Sequence, residues 1–203
     1  MIINLSDVTI RPFVESDIAV VLEKHKFLYA EEFGFSPDAF SKYVSDALND
    51  FLDRDGGMLW VTEYPNSKPS SKESSEIENP TWAGCIAIAQ MGNSTGRLRF
   101  LLVDFPFRGC GLGRRLMEEV AFGYCEDMNY KRIVLSTAGD CQSAIQMYRK
   151  YGFRMVKSAE ATVWGGKTDE WWEKASDGEN EPSPVAALNV ASSAQPLRPV
   201  RQS

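Results

Sequence analysis

The chain has 203 residues, 43% hydrophobic and 25% charged. That is ordinary globular usage at the length of one domain, which excludes wholesale disorder, a fibrous repeat and a second enzyme-sized domain. With 22 Lys and Arg against 28 Asp and Glu the net charge is −6, which excludes a nucleic-acid partner held by phosphate neutralisation. Cys85, Cys110, Cys125 and Cys141 form no C-x-x-C pair and have only His25 to join them, so no metal site is expected. No run approaches the ~18 apolar residues of a spanning helix. Asp7 and Arg11 interrupt MIINLSDVTIRPF before a signal-peptide core could form. A cytoplasmic or nuclear location, with no membrane partner, is the expectation.

In chain order, Val8 to Phe13 reads as a strand, and Glu15 to Tyr29 places Ile18, Val21, Leu22 and Leu28 near one face of a helix. Ser36 is a plausible N-cap with Pro37 behind it. Phe40, Tyr43, Val44, Ala47, Leu48, Phe51 and Leu52 then recur at helical spacing until Gly56 and Gly57 end the helix. Strands follow near 58–64, 81–90 and 97–104, then a helix from Gly111 to Met128, a strand at Arg132 to Ser136, a helix from Cys141 to Tyr151, and apolar segments out to Trp164. The order is β-α-α-β-β-β-α-β-α-β-β. PNSKPSSKESSEIENP marks a disordered surface loop at 65–80, and the proline-rich end from 175 a disordered tail. Residues 1–174 are thus the expected folded domain.

Chemistry concentrates in LRFLLVDFPFRGCGLGRRLMEE, where an apolar strand turns into Gly109, Gly111 and Gly113 at the head of an amphipathic helix. Three glycines in five residues permit positive φ and close approach of main-chain N–H groups to a ligand. With Arg108 in front and Arg114 and Arg115 behind, the segment suits a pyrophosphate. A dinucleotide fingerprint would need glycine at Arg114 or Leu116, and a P-loop would need Gly-Lys followed by Ser or Thr, which is absent. The alternative is a tight structural turn.

What matches is Arg-x-x-Gly-x-Gly, present as Arg108, Gly111 and Gly113. This resembles the pyrophosphate loop of the GCN5-related N-acetyltransferases (GNAT family). Downstream, AIQMYRKYGF is similar to that family's A-x-x-x-Y-x-x-x-G-F element. The opening TIRPFVESD and the element order agree. EKHKFLYAEEFGF and LRFLLVDFPFRGCGLGRRLMEE are similar to the acetyltransferase half of bacterial proteins fused to a MarR-type regulator, although no winged-helix half is read in these residues.

The resemblance implies an α/β (α+β) fold, a single GNAT-type domain with a mixed central sheet flanked by helices, and acetyl-CoA as co-substrate. It implies that main-chain groups of Leu101, Leu102 and Val103 pair with the pantetheine arm and that the segment Gly109, Cys110, Gly111, Leu112, Gly113, Arg114 holds the pyrophosphate beside Arg108. The Val103 N–H would polarise the thioester carbonyl, and Tyr148 would protonate the leaving thiolate. Where many members carry Asn seven residues before that tyrosine, this chain has Cys141. The implied partner is a primary amine, on a small molecule or a protein. Oligomeric state stays open, a homodimer included.

An ammonium has no lone pair, so the reaction calls for a base and an electronegative pocket. Residues 97–157 carry net +5, whereas residues 1–96 carry net −8, so an anionic donor is expected on the former and a cationic acceptor against the latter. Glu31 and Glu32, after the first helix, are the favoured base candidates, with Asp104 the alternative. Tyr148 could instead pack in the core, as could His25 and Tyr29, which share a helical face. Cys110 is read as a variable loop position, and Trp164, Trp171 and Trp172 as anchors of the last strands rather than pocket walls. A CoA-binding module of the same fold without turnover is the rival reading.

Overall fold

A computed structural model of the chain describes residues 3–53, 56–65, 80–92, 94–161 and 167–175. Its elements are β1 (Thr9–Pro12), α1 (Asp17–Phe33), α2 (Pro37–Leu52), β2 (Met58–Tyr64), β3 (Thr81–Gln90), β4 (Thr95–Val103), α3 (Leu112–Arg115), a π-helical stretch (Leu116–Phe122), α4 (Gly123–Asp127), β5 (Arg132–Ala138), α5 (Gln142–Lys150), β6 (Arg154–Ala161) and β7 (Lys167–Ala175). The expected order stands. The strands form one mixed sheet in the order β1-β2-β3-β4-β5-β7-β6, in which β4 and β5 are parallel and the other neighbours antiparallel.

The centre of the sheet is covered on both faces, which is why β3 reads as a nearly continuous apolar run with eight consecutive buried residues. Ala83, Ile86 and Ile88 join Leu112, Leu116, Met117 and Ile145 on one side. Cys85, Ala87 and Ala89 join Val21, Leu28, Leu48 and Phe51 of α1 and α2 on the other. Burying each large aliphatic side chain contributes about 1.5–3 kcal/mol. Gly84 lets β3 and β4 close up, because a Cβ there would lie 2.6 Å from the Leu102 carbonyl oxygen.

An ion-paired cluster and a cation–π contact fix the outer strands. Arg11 on β1 donates to both carboxylate oxygens of Asp17 at 2.7 and 3.0 Å, and to Glu63 on β2. Arg11 and the Val14 amide hold the Asp17 carboxyl below the usual carboxylate range. At the other edge Trp172 is buried and Trp171 takes the Lys157 ammonium over its ring at 4.7 Å, so these two tryptophans anchor β6 and β7.

Two details depart from expectation. The helix read from Gly111 to Met128 is not uniformly α, since Leu116–Phe122 winds as a π-helix. Its buried residues Leu116, Met117, Val120 and Ala121 repeat every four positions, a spacing that α and π windings both satisfy, so periodicity could not separate them. β7 (Lys167–Ala175) also lies wholly beyond Trp164, where the apolar segments were expected to stop, and runs one residue past the expected end of the domain. The loop expected at 65–80 (apart from Pro65 and Pro80), the tail beyond Ala175 and Trp164 lie outside the described residues.

Candidate active site

The site begins where β4 and β5 separate. The two strands pair only at Thr95–Arg132, Gly96–Ile133 and Arg97–Val134, yet β4 continues beside β3 to Val103 and β5 beside β7 to Ala138. Leu101, Leu102 and Val103 therefore have a sheet neighbour on one side only. The register against β3 jumps between Cys85–Leu102 and Ala87–Arg99, so Phe100 and Leu101 oppose Ile86 alone. That is a β-bulge, which bends and twists its strand. Phe100 sits at φ +52°, a left-handed conformation costing roughly 1–2 kcal/mol for a residue with a Cβ. Aromatic packing offsets this strain: the Phe100 ring meets His25 edge-on at 5.7 Å and Phe51 at 6.0 Å, and its carbonyl accepts from the Cys85 thiol at 3.0 Å.

β4 leads through the 3-10 turn Phe105–Phe107 into the glycine loop. Gly109 and Gly111 stand at φ +74° and +97°, which is what the glycines were expected to permit. The first helical bond runs from the Arg115 amide to the Gly111 carbonyl at 3.0 Å, so the amides of Leu112, Gly113 and Arg114 have no acceptor one turn back. Cys110 donates to the Phe107 carbonyl at 3.0 Å. Arg108 lies over the ring of Phe105 at 4.3 Å, and donates from Nε to the Val103 carbonyl at 2.9 Å and from Nη1 to Glu32 at 2.7 Å. Arg115, expected among the cradle's charges, instead donates to the Leu5 and Val8 carbonyls, both at 3.0 Å, and to Glu119.

Between the separating strands and the two helices lies a cavity of about 90 Å³, room for roughly half a dozen waters. Its floor is Arg97 to Leu101 and Leu135 to Ala138, its roof His25, Tyr29, Phe35, Phe40, Tyr43, Val44 and Ala47, and Tyr148 of α5 closes it. Tyr29 stacks on Phe40 at 4.4 Å and on Phe35 at 5.5 Å. His25 Nδ1 is 2.7 Å from the Val21 carbonyl. A carbonyl only accepts, so Nδ1 carries the proton, and burial pushes the imidazole pKa down to about 4.

Tyr148 is buried, and burial, with a smaller contribution from Cys141, raises its pKa well above the ordinary tyrosine value. Cys141 is buried beside it. Burial raises the thiol to about 11, while Thr137 and Tyr29 interact with its sulfur.

The three carboxylates read as base candidates do not line the cavity. Glu31 is exposed on α1. Glu32 is engaged by Arg108, and Asp104 accepts from Lys24 at 2.5 Å and from the Phe105 amide at 2.9 Å. The electronegative acceptor pocket expected from regional charge is also not what the fold builds, because among the described residues the lining has no Asp or Glu and does have Arg97 and Arg99. Summed charge over a hundred residues says nothing about which few face inward. Sequence reasoning missed Arg97, Arg99, Phe35, Phe40 and Phe100 as site residues. Alternate arginines on an apolar strand, at Arg97 and Arg99, were the available signal.

The family model of the acetyltransferase (GNAT) family matches residues 26–153. Among solved structures the chain is similar to an acetyltransferase of the GNAT family from Staphylococcus aureus Mu50, with 19% identity, TM-score 0.62 and coverage of 83% of this chain and 98% of that one. It is similar to spermidine N-acetyltransferase from Vibrio cholerae in complex with CoA and spermine, with 14% identity, TM-score 0.59 and coverage of 84% and 96%. Ard1 from Thermoplasma volcanium matches with 20% identity, TM-score 0.60 and coverage of 83% and 97%. At these identities the likeness shows the fold. No curated protein matches the sequence.

Proposed function

The chain belongs to the GNAT acetyltransferase family, and from that premise we propose that it transfers acetyl from acetyl-CoA to a primary amine by direct attack in a ternary complex. The observation that carries this reading is the half-paired edge of β4 running into the glycine loop, with Tyr148 lining the cavity where β4 and β5 separate. Leu101, Leu102 and Val103 would accept the pantetheine arm as an added strand. The first-turn amides from Gly109 to Arg114, beside Arg108, would take the pyrophosphate. Arg108 and the Val103 carbonyl are mutually bonded here, so that contact would loosen as the arm pairs.

The amine, deprotonated, attacks the thioester carbonyl carbon. A C–N bond forms and the carbonyl oxygen takes negative charge beside the Val103 N–H. On collapse the C–S bond breaks, Tyr148 gives its proton to the sulfur, and the proton lost from nitrogen passes through solvent to the phenolate and restores the phenol. A tyrosine held neutral by burial keeps the proton such a step needs. Glu32 and Asp104 hold cations in this structure, which leaves exposed Glu31 as the carboxylate that would accept the amine's proton through water. The likeness of segments 23–35 and 98–119 supports a place beside the acetyltransferase half of MarR-type fusions.

The test is mass-spectrometric detection of product from the purified chain, acetyl-CoA and a panel of small amines, amino acids and peptides. An acetylated amine with stoichiometric CoA release is expected. Binding of acetyl-CoA without product from any amine would favour the non-catalytic CoA-binding module.

A further inference from the structure

Resting on the acetyl-transfer reading, we infer that the acceptor is an amine that also bears a carboxylate, bound by Arg97 and Arg99 with its apolar body against the aromatic wall of the cavity. The two arginines are two residues apart on β4 and so project from the same face of the strand, the face covered by α1 and α2. Both line the cavity. The Arg99 side chain is only 12% exposed, and its ion pair is a long one, 3.5 Å to an Asp50 that is 43% exposed. Burial, and then the charge of Arg97, pull the Arg99 pKa down from 12.5 to about 10. Arg97 donates to Ser136 at 3.3 Å, another residue of the lining.

A guanidinium has five N–H donors in a planar fork, and the contacts described here engage one donor on each. Two such forks, whose neighbouring carboxylates Asp50 and Asp169 stand outside the lining among the described residues, are a poor resting place for a cation and a good one for a planar anion, which a fork binds through two parallel bonds. The wall supplies the other half of the recognition: Phe35 stacks on Phe40 at 5.1 Å, and Phe100 turns its edge to His25.

The same charges bear on the chemistry. An ammonium beside two guanidiniums loses its proton more readily than in water. The pocket would therefore raise the fraction of acceptor in the nucleophilic form, in a site where Glu32 and Asp104 are both tied into ion pairs.

The experiment compares matched acceptors that differ only in the carboxylate: phenylalanine with phenethylamine and with phenylalaninamide, and leucine with isopentylamine. We expect kcat/KM for each acid to exceed that of its neutral partner by at least about tenfold, the scale of a charge-assisted bidentate contact. Arg97→Met and Arg99→Met should each raise KM for the acids about tenfold or more, with no such rise for the plain amines, and leave acetyl-CoA affinity by calorimetry unchanged. Arg99→Lys should recover part of the loss, separating lost charge from lost folding. Equal or better turnover of the neutral partners overturns the inference and leaves acetyl transfer standing. If no amine is acetylated, calorimetry of the acids against CoA-loaded protein decides: preference for acids upholds the carboxylate site while contradicting turnover, and no preference overturns the site as well.

Discussion

The proposed cofactor side and the proposed acceptor side of this molecule are built from different material. The former is one continuous segment, Leu101 to Arg114, whose working groups are main-chain amides and carbonyls exposed by a bulge, a half-paired strand edge and two left-handed glycines. The acceptor side gathers side chains from α1, α2, β4, β5 and α5. Main-chain recognition needs a local pattern of glycines and strand residues, and a local pattern survives in sequence as a motif. A pocket assembled from five elements leaves no contiguous trace. The difference teaches that the two halves respond differently to substitution: the first through backbone conformation, the second through charge and ring contacts.

The largest expected effect falls on the residue where the halves meet. Tyr148→Phe should lower kcat about 100-fold or more, the range for loss of a positioned general acid, and leave acetyl-CoA affinity by calorimetry unchanged. Because burial raises the Tyr148 pKa, its acid form persists beyond the ordinary range, so the alkaline limb of the wild-type kcat profile should lie above pH ~10. A limb well below that would assign the proton to another group.

Next come substitutions that separate the halves. Arg108→Ala should weaken acetyl-CoA binding about tenfold, since it removes a charge beside the pyrophosphate, and Tyr148→Phe should not. Equal effects of the two on affinity would contradict the assigned roles. Gly111→Ala should also weaken acetyl-CoA binding, by several-fold. Its built Cβ has ordinary contacts, 3.7 Å to Arg114 and Leu5, but φ is +97°, so the cost is conformational. The same change at Gly34, at φ +65° after α1, should alter stability and leave acetyl-CoA affinity alone.

The smallest effect on activity should come from the distant β1 cluster. Asp17→Asn removes the partner of Arg11 and should lower stability by about 1–3 kcal/mol, read by denaturant unfolding at neutral pH. The Asp17 pKa is depressed in the folded chain, so its contribution is present above the unfolded value of ~3.9 and fades as pH falls through the folded one. Wild type and variant should converge in acid.

Legibility follows the same division. β2 and β3 fall on the residues expected, and the Arg108–Gly113 loop lies where its spacing placed it, since apolar alternation and glycine placement are local constraints. Tyr148 could be named through the Ala144–Phe153 element, and it both lines the cavity and packs in the core. The π winding of Leu116–Phe122 was hidden because its four-residue repeat suits two helices equally. Glu32 and Asp104 could be named but not judged, because their partners, Arg108 and Lys24, lie 76 and 80 residues away. Arg97 and Arg99 were visible as alternate cations, yet only the departure of β5 after Val134 turns them toward a cavity.

The central claim, that acetyl-CoA lies along the free edge of β4 and over the glycine loop, is tested most directly by backbone amide resonances during titration with acetyl-CoA. The account predicts the largest shifts at Leu101 to Val103 and Gly109 to Arg114, with β1 and the β6–β7 hairpin little changed. Saturable binding that leaves those two segments unmoved would contradict it.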